Sequence, residues 1–263
     1  MLKNLKTYVI NLGSARGRMA RMAKRLKSMG LPFERIEAVK GEECKDAGPK
    51  VVDRRRHVIA HAKEILPNEI GCYLSHYNAM KKFLDSGAKY ALILEDDMEF
   101  SPEFSDVLAA LLKRDDWDVV KLNGGHGGGN VGKRELVRRV GACLALNGFH
   151  QSKSGAYVLA RRAAKAYVSK MLPMFVPFDH ELVKYWKYGL RGFSAAPFPA
   201  REEGGASTID YSRERSRRRA WAKPSSALYK SYIALRRAIH VLFALIGYSC
   251  RKNSAGNHPS AVL

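Results

Sequence analysis

The sequence is poor in the features that place a protein outside the cell or across a membrane. Its four cysteines are far apart and form no CxxC pair, which disfavours both a disulfide framework and a cysteine-based zinc site. No run approaches the roughly 18 apolar residues that cross a bilayer. The first residues contain no apolar segment typical of a signal peptide. We therefore expect a cytoplasmic protein whose thiols stay reduced.

Acidic residues are scarce relative to basic ones. The 263 residues include 25 Asp and Glu against 46 Lys and Arg, a formal net charge of +21. This excess indicates an anionic partner: a nucleic acid, a phosphosugar or an acidic membrane surface. Because 46% of the residues are hydrophobic, the chain is globular and not disordered. Its length is sufficient for one large α/β domain with a substantial core, or for a domain plus an appendage.

Three of the acids are adjacent. Residues 90–100 read YALILEDDMEF, so an apolar run leads directly into Glu95, Asp96 and Asp97. The run predicts a strand buried on both faces, as in the middle of a parallel sheet. Open α/β sheets bind ligands at the carboxyl ends of strands, and adjacent carboxylates repel one another unless a cation is near. A divalent cation that bridges to phosphates fits this position; the alternative is an acidic loop that only exposes its charges to water.

The first turn of the chain offers a second group of polar residues. Residues 7–39 predict a strand, a helix and a second strand, in outline a mononucleotide-binding half. The turn has no GxGxxG sequence. It has Asn11, then Ser14 as a helix cap, and Arg16 and Arg18 at a helix N-terminus, a place suited to an anionic group. The alternative is that both arginines belong to a solvated basic face.

Histidines are the remaining candidates in the first third of the chain. Residues 68–76, NEIGCYLSH, open a helix, and His76 either points into the site or has a structural role. His57 and His61 are four residues apart in a polar, irregular segment, where we expect a mobile loop with surface histidines. A metal site formed by them with Glu64 is less favoured, because no anchoring thiol or acid pattern accompanies it.

The composition changes near residue 211. Residues 211–240 contain nine Lys and Arg against one acid, and the helical pattern that follows has one apolar face. A basic amphipathic helix of this kind is typical of attachment to an anionic membrane; the alternative is a helix that packs on the domain. The apolar face comprises Leu228, Tyr232, Leu235, Ile239, Leu242 and Phe243.

Four blocks in order resemble glycosyltransferase family 25, which includes bacterial lipooligosaccharide galactosyltransferases. The opening, residues 9–12 followed by a basic helix and residues 31–35, matches the start of that family. The segments 69–76, 92–97 and 154–161 resemble its internal signature, its acidic motif and a later strand-helix junction. The resemblance covers about Thr7 to Asp210. The basic C-terminal region lies outside it.

This resemblance implies a GT-A-like, nucleotide-sugar-binding α/β fold and an inverting transfer. The donor is a UDP-sugar, expected to be UDP-galactose, and the acceptor is a lipooligosaccharide or another cell-surface glycan. Glu95 and Asp97 are the expected ligands of a divalent metal, Mn²⁺, that bridges the donor diphosphate. Asp96 is expected to face the nucleotide, together with the first-turn residues and His76.

Inversion also requires a carboxylate that deprotonates the acceptor hydroxyl. Asp179 is the candidate and Glu181 the reserve, although two acids at a helix start are also explained by the helix dipole.

The resulting division of the chain has three parts. Residues 1–210 are the expected catalytic domain, 211–252 a basic amphipathic region attached to the inner face of the cytoplasmic membrane through 211–248, and 253–263 a disordered tail. Two other interpretations stay open: a nucleic-acid-binding protein that uses the basic C-terminal region, and a catalytically inactive family member.

Overall fold

A computed structural model of the chain describes residues 4–125, 130–148, 152–204 and 218–255. The strands are β1 (Leu5–Asn11), β2 (Glu34–Glu37), β3 (Tyr90–Glu95), β4 (Met98–Phe100), β5 (Val119–Lys121), β6 (Asn130–Val137), β7 (Ala142–Asn147), β8 (Ala156–Ala160), β9 (Gly192–Ala196) and β10 (Ala200–Glu202). The helices are α1 (Arg16–Ser28), α2 (Arg54–His61), α3 (Pro67–Asp85), α4 (Phe104–Leu112), α5 (Arg161–Lys170), α6 (Phe178–Leu182) and α7 (Lys223–Ala255).

Eight strands form one mixed sheet in the order β2-β1-β3-β8-β5-β9-β7-β6, and β4 pairs with β10 apart from it. β1 is parallel to β2 and to β3, whereas β8 is antiparallel to β3. The apolar run predicts a strand within a parallel sheet, but the sheet around β3 is mixed. The run reports burial on both faces, and burial does not depend on the direction of the neighbouring strand.

Helices cover both faces of the sheet. On β3, Ala91 and Ile93 belong to one apolar cluster with residues of α3, α5 and α6. Leu92 and Leu94 face the opposite way, into a cluster with α1 and α4. This alternation is the period-two pattern of a strand between two helical layers. The expected α/β fold with a C-terminal helical extension is confirmed.

The pairing of β1 with β3 determines where ligand-binding side chains meet. The two strands are parallel, and Ile10 is in register with Glu95. Asn11, the last residue of β1, therefore lies at the same edge of the sheet as the acids that end β3.

The segment between β2 and α3 differs from expectation. It contains α2, and His57 on that helix is completely buried, with Nδ1 3.1 Å from the carbonyl oxygen of Phe175. The rings of His57 and His61 stack with centroids 4.7 Å apart, and the ring of His180 lies 5.3 Å from that of His61. The prediction of surface histidines is wrong for His57, because α2 packs against α7 and His57 contacts Phe175.

The C-terminal boundaries are described only in part. The expected boundary between residues 210 and 211 lies outside the described residues. α7 continues to Ala255, so residues 253–255 of the expected disordered tail are helical. Residues 256–263 lie outside the described part of the chain. Among the helices that the structure describes, each is too short or too polar to span a membrane.

The buried histidines predict a pH-dependent stability. Burial lowers the pKa of His57 to about 4 and that of His61 to about 2, so the unfolded chain binds their protons first as the pH falls below about 6.5. We expect the free energy of unfolding to be at its full value above that pH. Below it, each histidine should remove up to about 1.4 kcal/mol per pH unit.

Urea denaturation between pH 7 and pH 5 measures this slope. His61→Phe, which keeps a ring in the stack, should remove one histidine's share of it. An identical slope in wild type and variant would contradict the assignment.

Candidate functional site

A cavity of about 450 Å³ opens where β1 and β3 end. Seven of the predicted site residues line it: Asn11, Ser14, Arg18, His76, Glu95, Asp96 and Asp97. Other parts of the wall come from the segment after β2, residues 38–42, and from α3. The structure therefore brings together the first turn, α3 and the acidic motif. Asn11 and Asp96, for example, are 85 residues apart in the chain.

Asp96 joins the ends of the two strands. Asn11 donates a hydrogen bond from Nδ2 to Asp96 Oδ2 at 2.6 Å, and Arg18 lies 3.5 Å from the other carboxylate oxygen. Arg35 in turn donates to Asn11 Oδ1 at 2.8 Å, which fixes the orientation of the amide. These contacts neutralise Asp96 and hold it against β1.

Asp97 is the least satisfied of the three acids. Its Oδ2 lies 3.7 Å from Arg18, but its Oδ1 is buried without a hydrogen-bond partner among the described residues. Burial, and then the charges of Glu95 and Asp96, raise the pKa of Asp97 to about 7, although Arg18 opposes this. A buried carboxylate oxygen that lacks a donor fits a divalent cation, which would supply the missing positive charge.

Glu95 is oriented by a buried histidine. His76 Nε2 lies 3.2 Å from Glu95 Oε1, and His76 Nδ1 lies 3.0 Å from the hydroxyl of Tyr157. The ring of Phe178 stacks on the imidazole with centroids 4.0 Å apart and an interplanar angle of 3°. His76 thus lines the cavity and is also a packed residue of the core, so the two expected positions do not exclude each other.

Cys72 is a neighbour of this site that the sequence analysis missed. Cys72, His76 and Glu95 each place one ligand atom within 4.8 Å of the others, which no other set of three or more such side chains does in the part of the chain described. Burial, followed by nearby carboxylates including Glu95, raises the pKa of the Cys72 thiol well above its usual range. A protonated thiol is a poor ligand for a hard cation. The available signal was the spacing of Cys72 and His76, four residues apart on a predicted helix.

Comparison with known proteins identifies a family that part of the chain resembles. The family model "Glycosyltransferase family 25 (LPS biosynthesis protein)" matches residues 4–126. A glycosyltransferase 25 family member of Anopheles gambiae is 32% identical over 123 residues, 43% of this chain and 20% of that protein. Residues 4–126, just under half of the chain, are similar to glycosyltransferase family 25. The family resemblance of the sequence is therefore confirmed.

Other relatives cover more of the chain. Procollagen galactosyltransferase 1-B of Xenopus laevis is 26% identical over 201 residues, 72% of this chain and 32% of that protein. This chain thus spans between a fifth and a third of the length of these two curated relatives. Among solved structures, a glycosyltransferase involved in the glycosylation of the major capsid of PBCV-1 is similar at a TM-score of 0.42. It is 9% identical, and the match covers 86% of this chain and 98% of that one.

Within the family 25 region, two first-turn residues differ from expectation. Ser14 does not cap α1: the N-cap residue is Ala15, and no side chain caps the helix. The reason is that Ala15 N donates to Leu12 O at 2.8 Å, so a backbone turn precedes the helix. Arg16 is exposed and lines a separate shallow depression with Asn11, not the main cavity.

Asp179 lies beyond the matched region, on α6. It is half-buried and accepts hydrogen bonds from the backbone nitrogens of Lys153 and His180 at 3.3 and 2.9 Å. The adjacent Phe178 stacks on His76, which brings the start of α6 beside α3. Asp179 is not among the residues that line the cavity, but its charge helps to raise the pKa of Cys72 on the cavity wall.

Lys121 is a second neighbour that the sequence analysis missed. It is completely buried on β5, and its Nζ donates to the carbonyl oxygen of Ser152 at 2.9 Å. Burial lowers the pKa of Lys121 to about 7, and the charge of Asp179 opposes this shift. A lysine at the end of a short apolar strand was the available signal.

Glu181 has a structural environment. It is 1% exposed, its Oε2 lies 3.0 Å from Lys184 Nζ, and its Oε1 contacts Lys187 and the hydroxyl of Tyr188. Lys184 Nζ also lies 3.0 Å from the hydroxyl of Tyr229 on α7. Burial alone would favour the neutral acid, but the two lysines hold the pKa of Glu181 below its usual value. Both oxygens are occupied, so the structure does not offer Glu181 to an acceptor.

This environment predicts the effect of Glu181→Gln on stability. The substitution leaves Lys184 buried without its countercharge, and breaking a buried pair in this way costs about 3 kcal/mol or more. Chemical denaturation measures the loss. Glu202→Gln is the matched control, because Glu202 forms an exposed pair with Lys153, and it should cost less than about 1 kcal/mol. Equal stability of the two variants would contradict the structural role.

Proposed function

We propose that this protein is an inverting, metal-dependent glycosyltransferase that moves galactose from UDP-galactose to a hydroxyl of a glycan. The observation that carries the proposal is the cavity of the family 25 region. Its wall combines Asn11 at the end of β1, Arg18 in the first turn of α1, and an oxygen of Asp97 that is buried without a hydrogen-bond partner among the residues described. The galactosyl donor is supported by the name of the frog relative, a procollagen galactosyltransferase.

Donor binding is assigned to the two strand ends. Asp97 and Glu95 would hold a divalent cation, Mn²⁺. The cation would offset the negative charge of the leaving diphosphate without a proton transfer. Arg18, already within 4 Å of Asp96 and Asp97, adds a second positive charge at the diphosphate. His76 keeps Glu95 in position, and Asp96 is assigned to the nucleotide ribose.

The rim of the site is assigned to Ser14 and Arg16. Ser14 lines the main cavity, and Arg16 is the first residue of α1. A helix N-terminus attracts anionic groups, which supports a contact of Ser14 with the donor phosphates. Arg16 lines the neighbouring depression and would act on the phosphates through its charge.

Asp179 is the proposed general base. An inverting reaction needs a carboxylate on the side of the sugar opposite to the diphosphate, and Asp179 comes from a different element than the donor-binding acids. Lys121 lies close enough for its pKa to respond to Asp179.

The proposed acceptor is a lipooligosaccharide or another cell-surface glycan. The association of family 25 with LPS biosynthesis supports it. Such acceptors are lipid-linked, so we place the enzyme in the cytoplasm, at the inner face of the cytoplasmic membrane. The nucleic-acid alternative depends on the basic cluster at 213–219. Within the described part of that cluster, Arg219 contacts Glu64 of the protein itself, which does not favour it.

Release of UDP tests the donor half of the proposal. Wild-type protein should release UDP from UDP-galactose faster than from other UDP-hexoses, and only with Mn²⁺ or a similar cation. Asp97→Asn should lower kcat/KM by about 100-fold or more and remove the rise in Tm that Mn²⁺ produces by binding the folded state.

Glu99→Gln is the control for Asp97→Asn, because Glu99 belongs to the same stretch but pairs with Arg25 and Arg201. It should keep both the rate and the Mn²⁺ effect. Full activity of Asp97→Asn in a folded protein would refute the metal assignment. A protein that binds Mn²⁺ but releases no UDP from any UDP-sugar would be the inactive family member.

Asp179→Asn tests the acceptor half. Loss of a general base should reduce sugar transfer by about 10²- to 10⁴-fold, while the affinity for UDP and Mn²⁺ stays that of wild type. Product formation is measured with a labelled donor and a galactose-accepting oligosaccharide, and UDP affinity by calorimetry. Transfer at the wild-type rate would exclude Asp179 as the base.

A further inference from the structure

One face of α7 consists of large apolar side chains that point into solvent. We call this set the outer face: Leu228, Tyr232, Leu235, Ile239, Leu242, Phe243 and Ile246. Each is between 40% and 73% exposed. Their spacing of three or four residues places them along one side of the helix. Trp221, which is 69% exposed, precedes the helix. An exposed apolar strip of this length marks an interaction surface.

The opposite face of α7 is packed against the domain. Ser226 Oγ donates to Ala60 O at 3.0 Å, and the ring of Tyr229 lies 6.2 Å from that of Phe175. Arg237 is buried, with its guanidinium 5.9 Å from the ring of Trp186. Farther along, Leu245 packs against the core cluster that contains the residues of α1 and α4. α7 is therefore fixed in orientation, and the outer face does not result from an undocked helix.

The charges of α7 identify the chemistry of the partner. Residues 223–255 contain no Asp or Glu. Lys223, Lys230 and Arg236 are exposed, and Arg236 lies seven residues, about two turns, before Phe243, so it borders the outer face. A surface that is apolar and otherwise only basic matches an anionic lipid bilayer, whose headgroups attract the cations while its acyl chains accept the apolar groups.

A second copy of the chain fits this surface less well. The alternation of four and three residues from Leu228 to Ile246 is also the spacing of a coiled-coil seam. Stable helix pairs place opposite charges beside the seam, whereas two copies of α7 would oppose basic residues to each other.

We propose that the outer face of α7 is a membrane-binding surface that lies in the headgroup region of an anionic bilayer. The helix lies parallel to the membrane plane, with its apolar side chains among the acyl chains and Arg236 at the phosphates. The inference adds a lipid partner to the proposed function, and its test does not depend on glycosyl transfer.

Cosedimentation of the full chain with vesicles tests the proposal. Wild-type protein should bind vesicles of phosphatidylcholine and phosphatidylglycerol more tightly than vesicles of phosphatidylcholine alone. Leu235→Ser/Leu242→Ser removes apolar groups from the outer face and should weaken binding by at least about tenfold. Arg236→Gln should reduce affinity for the anionic vesicles by about fivefold and leave binding to the neutral ones unchanged.

The matched control is Ile59→Ser/Val131→Ser. These two side chains are 38% and 36% exposed but belong to α2 and β6, so the variant should bind vesicles as wild type does. Surface substitutions are preferable to deletion of α7, because deletion would uncover Ala60 and Phe175. Thermal unfolding verifies that each variant is folded.

Two results would overturn the proposal. One is equal vesicle binding by wild type and Leu235→Ser/Leu242→Ser, or no binding by either. The other is a wild-type dimer, measured by light scattering, that the same substitutions convert to a monomer, since the outer face would then be occupied by a second copy of the chain.

Discussion

Repulsion among the three carboxylates that end β3 is the constraint on which the site depends. Each acid has a different neighbour: His76 contacts Glu95, Asn11 donates to Asp96, and Arg18 approaches Asp97 at 3.7 Å. The balance is incomplete at Asp97, whose pKa is raised by burial and by the other two acids. A cation at this place would relieve the repulsion, so the three neighbouring carboxylates favour a positively charged ligand.

The sheet and its helices supply these neighbours from distant parts of the chain. Parallel pairing of β1 with β3 brings Asn11 to the acids, and α1 then places Arg18 over them. α3 contributes His76 and Cys72 from one helical face. The proposed base, Asp179, comes from α6, beyond the matched family region. The donor and acceptor halves of the proposed reaction therefore depend on different parts of the chain.

Local sequence patterns predicted the helices, the strands and the residues of the cavity better than they predicted which groups these residues contact. The apolar run before Glu95 and the family blocks located β3, α3 and most of the cavity wall. The antiparallel direction of β8 was not predictable, because the burial of β3 is the same for either direction. The burial of His57 and Lys121 was not predicted, because burial of a polar residue depends on long-range packing, such as the contact of His57 with Phe175. The six apolar residues assigned to one side of α7 were grouped correctly, but a periodicity does not state whether that side meets the protein or solvent.

The stack of Phe178 on His76 joins two requirements in one residue. Phe178 belongs to the same apolar cluster as α3 and α5, so its ring must fill a fixed volume. The same ring lies flat against the imidazole that contacts Glu95. A substitution at position 178 must therefore meet two requirements, the core volume and the tilt of the imidazole plane. A replacement that fills the core volume but does not hold the imidazole plane would leave a stable protein in which the Glu95 carboxylate is wrongly oriented.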